Sequence, residues 1–328
     1  MHKVIIPGSE LKASCLCLGT FSFGLSLSEK DSYDIMDAFI YEGGNFLDTA
    51  YIYGRWIKGV GCDSIGEKVI GGWLKERGIR NKVILGTKGG SINLDTWEYQ
   101  SSKQGITAQL DSSLINLQTD YIDIYWLHRD DIKRSVEHYI DLLNEQVKLG
   151  KIRYFGCSNW TIERIIQANK YAEVSGQRGF VANQPWWSLA QPNKEHISDK
   201  TMIWLDKEGY EFHSLSGMAV VPYSSQAKGF FAKIDTYGIE GIPDGLRKLY
   251  INERNLSVYK KIKDFVSCTD RKVNDVALAY MLCQPFTTIP IVGCKSISQV
   301  RESIKATEIN LSKEMILELV NHPNSEYN

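Results

Sequence analysis

Eight short runs of consecutive apolar residues recur along the chain, at 15–18, 45–47, 83–86, 122–127, 152–156, 180–183, 218–222 and 289–292. They are continuous rather than alternating, the pattern of parallel strands covered on both faces. Between them lie segments with apolar residues at helical spacing. Residues 31–41 carry Tyr33, Met36, Phe39 and Ile40 at that spacing and stop at Gly43-Gly44. Ser64-Ile-Gly-Glu67 has the form of a capping box ahead of Val69, Ile70, Trp73 and Leu74, with Gly78 as the stop. Residues 106–117, 135–149, 162–172, 194–207, 256–268 and 273–283 continue the helical series. A Pro-Gly turn between 3–6 and 11–14 predicts a short N-terminal hairpin, and 313–320 predicts a C-terminal helix. The connection between the seventh and eighth strands is the longest and contains 229–245, which predicts a long loop. Strands alternating with helices, with no linker between them, predict a single (β/α)8 TIM barrel over residues 1–328. An open doubly wound sheet would carry a glycine-rich dinucleotide turn after its first strand. Gly19-Thr-Phe-Ser-Phe-Gly24 lacks the G-x-G-x-x-G spacing.

A barrel of this kind carries its chemistry at the C-terminal ends of its strands. The second predicted strand ends in Asp48, and Tyr53 follows on a turn closed by Gly54. The third ends in Thr87-Lys88-Gly89 and the fourth in Leu127-His128-Arg129. A carboxylate at a strand end ordinarily caps the next element, and a lone histidine is ordinarily a satisfied structural residue. Converging at one barrel mouth, the four make a different object. Reducing a carbonyl needs a hydride for the carbon and a proton for the oxygen. A phenol titrates near 10 in water, and a neighbouring Lys88 ammonium is expected to lower that value. Asp48 would hold the amine charged, and His128 would orient the substrate oxygen toward Tyr53. No metal is needed for this chemistry, and no ligand cluster for one is visible in the sequence.

Composition narrows the picture a little further. Lys and Arg number 38 against 39 Asp and Glu, leaving a formal charge of -1, so nothing attracts nucleic acid or an anionic membrane. No apolar run approaches the roughly 20 residues of a membrane helix. The seven cysteines are scattered, with no metal-binding spacing, and read as buried thiols of a cytoplasmic protein. Met-His-Lys-Val-Ile-Ile-Pro-Gly meets Pro and Gly too early for a signal peptide. No signal for an obligate interface stands out, so a monomer is the default.

Four segments carry a resemblance. Gly19-Thr-Phe-Ser-Phe-Gly24, Phe46-Leu-Asp-Thr-Ala-Tyr-Ile-Tyr-Gly54, Asp120-Tyr-Ile-Asp-Ile-Tyr-Trp-Leu-His128 and Gly150-Lys-Ile-Arg-Tyr-Phe-Gly-Cys-Ser-Asn159 occur in this order. Together they resemble the aldo-keto reductase family along nearly the whole chain. The resemblance implies Asp48, Tyr53, Lys88 and His128 as a catalytic tetrad, with Tyr53 as general acid. It implies an NAD(P)H-dependent oxidoreductase that interconverts an aldehyde or ketone and its alcohol, with NADPH/NADP+ across the barrel mouth and NADH as the alternative. It places Ser158, Asn159 and Gln184 on the nicotinamide carboxamide and Tyr223, followed by Ser224, against the nicotinamide ring. It places Gly293, Lys295, Ser296, Gln299 and Ser303 at the adenosine-phosphate end. Gln299 stands where many NADPH-selective members have Arg, and Ser303 where Asn is common. Lys295 and Arg301 remain to meet a 2'-phosphate. Trp56 beside the catalytic turn and Trp186 and Trp187 after the sixth strand are candidates for the substrate pocket, with Phe230 and Phe231 in the long loop. The alternative reading is a cofactor-binding regulatory subunit, related to potassium-channel β subunits that share this fold and tetrad.

Overall fold

A computed structural model of the chain describes residues 1–55, 64–93, 96 and 98–320. The N-terminal hairpin pairs β1 (Lys3–Ile5) with β2 (Lys12–Ser14) in antiparallel register, Val4 opposite Ala13. Eight parallel strands follow: β3 (Cys17–Gly19), β4 (Phe46–Asp48), β5 (Ile84–Gly89), β6 (Ile122–Leu127), β7 (Ile152–Ser158), β8 (Ala182–Gln184), β9 (Ala219–Val220) and β10 (Ile291–Gly293). They pair in sequence order from β3 to β9, and β10 returns to pair with β3. The remaining seam is closed by backbone bonds: Val220 N–H donates to the Thr287 carbonyl (2.9 Å) and Ile291 N–H to that of Pro222 (3.0 Å). The sheet thus curls into a (β/α)8 barrel.

Helices α1 (Glu29–Tyr41), α2 (Ile65–Arg77), α3 (Lys103–Asn116), α4 (Val136–Lys148) and α5 (Ile162–Val174) cover the first five strands. The sixth connection holds α6 (Lys207–Ser216). The long connection after β9 is itself helical, with α7 (Phe230–Tyr237), α8 (Asp244–Tyr250), α9 (Glu253–Val266) and α10 (Val273–Leu282). α11 (Ile297–Lys305) and the predicted tail helix α12 (Lys313–Val320) end the fold.

Caps explain most boundaries. Ser28, Ser102, Ser135 and Thr161 each accept a backbone N–H from the first turn of the helix that follows. Two readings need correction. The helix expected at 194–207 is instead an irregular strap with a 3-10 turn at Lys194–His196 and a second turn at 199–202. The true helix start is Asp206, which accepts from Gly209 N–H, and Gly217 in left-handed conformation is its stop. The capping box at 64–67 is reached by half. Ser64 accepts from Glu67 N–H, but the buried Glu67 carboxylate turns into the sheet, taking Thr87 Oγ1 (2.6 Å) and Asn116 Nδ2 (3.1 Å).

The barrel interior is one core and the sheet–helix layers are two others. Ile6, Leu11 and Ala13 of the hairpin plug the interior's lower end, beneath Phe46, Ile124 and Trp126. The Trp126 indole fits only because its neighbours on both sides are glycine. A Cβ on Gly86 would stand 2.9 Å from its Nε1, and one on Gly156 2.4 Å from its ring. This wide, rigid floor lies directly below the strand ends that carry the polar residues.

Candidate active site

Asp48 is the last residue of β4 and Lys88 the fifth of β5, both 2 % exposed. Their side chains meet: the Lys88 ammonium donates to Asp48 Oδ2 and to the Thr49 carbonyl (2.6 Å). Burial disfavours charge on both. Lys88 nonetheless ends above its ordinary range, because Asp48 and Tyr53 hold its proton. Burial raises the Asp48 carboxyl, opposed by Lys88 and by Gln184, whose Nε2 donates to Asp48 Oδ1 (3.0 Å). A lone charge at either position would be costly, so the pair stands or falls together.

The turn bearing Tyr53 is tied down by its backbone. Tyr51 N–H donates to the Lys88 carbonyl (3.1 Å), Tyr53 N–H to that of Ala50 (3.0 Å), and Gly54 takes a φ of 92°. The Tyr51 ring faces away to the Arg55 guanidinium at 4.3 Å. Tyr53 is half-buried, with Lys88 Nζ 5.3 Å from its ring centroid and the Phe21 ring edge-on at 5.2 Å. The expected fall in its pKa is not the net result. Burial raises the phenol above 10 more strongly than Lys88 lowers it. The hydroxyl therefore carries its proton at neutral pH, as a donor must.

His128 follows β6, its ring 6.4 Å from that of Tyr53 at 77°. Burial, with the Arg129 and Lys88 charges, lowers its pKa well below 6.5, so the imidazole is neutral. Its Nδ1 is buried without a protein partner. Two convergent polar groups, a neutral phenol and a neutral imidazole, face one another across the mouth.

The residues expected at the nicotinamide end come together around Asn159. This residue holds a left-handed backbone (φ 60°), uncommon outside glycine and a mark of a constrained position. Its Nδ2 donates to the His128 carbonyl (3.2 Å) and Ser158 Oγ (3.0 Å), and its Oδ1 accepts from Tyr223 OH (2.8 Å) and Ile203 N–H (3.1 Å). Ser158 Oγ donates to the Gln184 carbonyl (2.7 Å). Since Gln184 also holds Asp48, one hydrogen-bonded chain runs from Lys88 to Tyr223. Ser224 follows with φ 55°.

The adenosine-phosphate candidates form a second, more exposed group. Gly293 ends β10, Lys295 is exposed, and Ser296 caps α11. Gln299 Oε1 accepts from Lys295 N–H (2.7 Å). Ser303 is buried and donates to the Gln299 carbonyl (2.9 Å), facing its own helix rather than the mouth. Arg301 pairs with Glu42 (3.2 Å).

Trp187 does not wall the pocket. It is buried outside the barrel, stacked on Phe286 at 5.9 Å and edge-on to Tyr210 and Tyr280. Period-two alternation after β8 turns Trp186 to the mouth instead, 6.3 Å from Tyr223. Phe230 and Phe231 are likewise core, against Tyr250. Trp56 lies outside the described residues.

Three features were given no role in the sequence reading. Phe21 packs on Tyr53 from within the quoted Gly19–Gly24 motif. Arg129 sits beside His128 at 12 % side-chain exposure. Lys228 and Lys233 flank the Phe-Phe pair, and their charges with that of Lys295 act on one another, since Lys233 is lowered by burial and by the other two. The recurrence of lysine around Phe230-Phe231 was the available signal. The backbone from Ala227 through Gly229 is left-handed at three successive residues (φ 48°, 56° and 75°) before α7, whose N-terminus has no side-chain cap.

Residues 15–323 match the model of the Aldo/keto reductase family. The chain is 32% identical over 322 residues to an uncharacterized oxidoreductase, YrpG, of Bacillus subtilis (strain 168), covering 96% of this chain and 94% of that one. It is 28% identical over 344 residues to an aryl-alcohol dehydrogenase (NADP+) of Phanerodontia chrysosporium, covering 96% and 84%. Among solved structures, aldo-keto reductase AKR11C1 from Bacillus halodurans in its holo form aligns with a TM-score of 0.75 and 28% identity, over 99% of this chain and 98% of that one. The fold, the ordered strand ends and these likenesses have one meaning: the chain belongs to the aldo/keto reductase family.

Proposed function

We propose that this protein is an NADP(H)-dependent oxidoreductase that interconverts an aldehyde or ketone and the corresponding alcohol, with Tyr53 as proton donor. The observation that carries the reading is the buried Lys88–Asp48 pair beneath a phenol that is itself protonated. A buried ion pair is weak evidence for stability, since desolvation offsets much of its attraction. Its position under a hydroxyl that the Lys88 ammonium itself reaches fits a role in proton transfer.

When bound, the nicotinamide supplies the hydride. The chain's residues do the rest. His128, neutral, donates a hydrogen bond to the carbonyl oxygen and orients it. Tyr53 gives its proton to that oxygen as negative charge develops there. Lys88 stabilises the phenolate left behind, and Asp48 keeps Lys88 charged throughout. Protonation from solvent restores Tyr53. In the alcohol-to-carbonyl direction the same groups work in reverse.

The donor set suits the cofactor. The Tyr223 ring at the mouth offers a face to the nicotinamide. Ser158, Asn159 and Gln184 offer hydroxyl and amide groups, whose directional bonds suit a carboxamide. At the start of α7 the backbone N–H groups of Ala227, Gly229 and Phe230 already donate to backbone carbonyls, so a phosphate there would be met by side-chain cations. Lys228, Lys233 and Lys295 gather there. The charge of that corner and the NADP+ in the name of the fungal aryl-alcohol dehydrogenase both support NADPH over NADH. Small carbonyls or alcohols are the substrate class. Among the described residues no helix is long and apolar enough to cross a membrane.

Tyr53→Phe tests the reading. Dinucleotide binding, followed by fluorescence, should be kept, while NADPH-driven carbonyl reduction across aldehydes and ketones should fall by about a thousandfold or more. Unchanged turnover would remove Tyr53 as the acid.

A further inference from the structure

One charged side chain at the mouth takes no part in the scheme above. Arg129 is almost enclosed, and every nitrogen of its guanidinium is committed. Nε donates to Thr201 Oγ1 (2.8 Å), one terminal nitrogen to the His128 carbonyl (2.9 Å) and the other to Asp199 Oδ2 (3.0 Å). Asp199 is held in turn by Thr201 N–H (2.9 Å) and Thr201 Oγ1 (2.6 Å). Burial opposes its charge, yet Thr201 and Arg129 keep its carboxyl below the usual range. It is an anion wherever the enzyme works.

These contacts join two segments far apart in sequence. Residues 199–203 belong to the strap after β8, and Ile203 N–H is the group that fixes Asn159 Oδ1. The neighbours of Arg129 are also anchored, Asp130 by a two-bond pair with Arg164 of α5 (2.9 and 2.8 Å) and Asp131 by Ser101 Oγ (2.5 Å). The segment after β6 therefore has little freedom, and the guanidinium stays where it is placed. Among the described residues, the titratable groups facing the Tyr53 hydroxyl are Asp48 from β4, Lys88 from β5, His128 and Arg129 after β6, and Tyr223 after β9. Of these, Lys88 and Arg129 are the cations.

Resting on the proposed role of Tyr53, we infer that Arg129 is a second positioning residue of the proton-transfer site. Clamped by Asp199 and Thr201, it fixes the backbone at His128 and opposes the negative charge left on Tyr53 when the phenol O–H bond breaks and the alcohol O–H bond forms. Asp199 acts as the counterweight. It holds the guanidinium in place and offsets part of its field at the phenol. The field of Arg129 on His128 and Tyr223 has the same sense, disfavouring imidazolium and favouring phenolate.

The arrangement gives two substitutions opposite effects on one observable. The pH dependence of carbonyl reduction has a basic limb set by loss of the Tyr53 proton. Arg129→Met should move that limb to higher pH by about half a unit and lower kcat about tenfold. Asp199→Asn leaves the arginine uncompensated and should move the limb to lower pH by a similar amount. Arg129→Lys keeps the charge but not the fork, and should keep the limb while losing part of kcat. A purely structural tie would lower activity in all three variants with no shift, and that result would overturn the inference. So would shifts of the same sign in Arg129→Met and Asp199→Asn. If Arg129→Met fails to fold, the direction of the Asp199→Asn shift decides. Wild-type protein that reduces no carbonyl would strike at the proposed function itself, a separable outcome.

Discussion

The floor of the barrel mouth and its lysine corner use charge in opposite ways. At the floor, Lys88 and Asp48 are each 2 % exposed and bonded to each other, and Gln184 and the Thr49 carbonyl take further bonds. At the corner, Lys228 and Lys295 are exposed, as is Gly293 before them. The floor's polar groups are fixed by partners before any ligand arrives, and that preorganisation is what proton transfer in a low-dielectric site requires. The corner's cations repel one another, a cost that only an anion relieves. On the proposed function, one region holds protons in place and the other meets the charge of the cofactor.

Breaking the floor should have the largest effect in the molecule. Lys88→Met leaves Asp48 buried without its cation. The cost of such an orphaned charge is about 3–5 kcal/mol, partly relieved if the carboxyl takes a proton. Urea unfolding should show a loss of that order, and kcat should fall by about a thousandfold or more because the phenolate loses its main support. Lys88 and Asp48 replaced together by Met and Leu should recover most of the stability and none of the activity. Recovery of activity in the double variant would mean that the pair is packing alone.

The floor was also the more legible of the two in the sequence. Asp48, Lys88 and His128 each end a continuous apolar run, so a barrel fold alone carries them to one end. Gln184 ends β8 for the same reason, but nothing in the chain order indicated that it would hold Asp48, a contact across 136 positions. The corner depends on backbone conformation and helix starts, which periodicity does not report. Ser303 matched a family position yet lies buried on its own helix, while Lys228 and Lys233 were overlooked beside two aromatic residues that are only core. Residues 194–207 were read as helix, although the apolar run from Met202 to Leu205 is continuous rather than helically spaced. Tertiary bonds to Arg129 and Asn159 hold the segment as an irregular strap with a turn at 199–202. Trp186 and Trp187 were both placed at the mouth by proximity in sequence, and alternation along the chain turned Trp187 outward.

A medium-sized effect should distinguish the two regions by acid. On the outer side of β8, His213 is wholly buried, with one ring nitrogen 3.0 Å from the Met218 carbonyl and the other 3.1 Å from Asn183 Nδ2. Burial lowers its pKa to about 4. The carbonyl can only accept, so the nitrogen facing Met218 carries the single hydrogen and the imidazole is neutral. Above pH 6.5 neither folded nor unfolded chain protonates this ring, and its contribution to stability is whole. As pH falls from 6.5 toward 4 the unfolded chain gains a proton that the folded one refuses, so stability declines. The full loss is about 3 kcal/mol for this one group. His128 adds a decline of the same sign. Comparing unfolding free energies of wild type and His213→Gln from pH 7 to pH 4 isolates the His213 share, and the variant should be the flatter of the two. Equal slopes would mean that His213 does not set the acid sensitivity of the wall behind Gln184.

The smallest effect belongs to the corner, and it sharpens the contrast most. Lys233 is the least exposed of the three lysines. Burial and its two cationic neighbours lower its pKa, while its ammonium donates to the Lys228 carbonyl (2.9 Å) and keeps the charge close to the left-handed backbone. Removing it costs the empty protein no partner charge, so Lys233→Ala should leave unfolding within about 0.5 kcal/mol of wild type. Relief of the crowding among cations could even raise stability slightly. Its loss should instead appear with ligand. KM for NADPH should rise about tenfold at low salt, and the gap between variant and wild type should narrow as ionic strength rises, because exposed charges are screened. KM for NADH should move less if the 2'-phosphate is the anion that this corner awaits, and equally if the pyrophosphate is. A change in kcat with KM untouched would place Lys233 with the floor rather than the corner, and would erase the division between them.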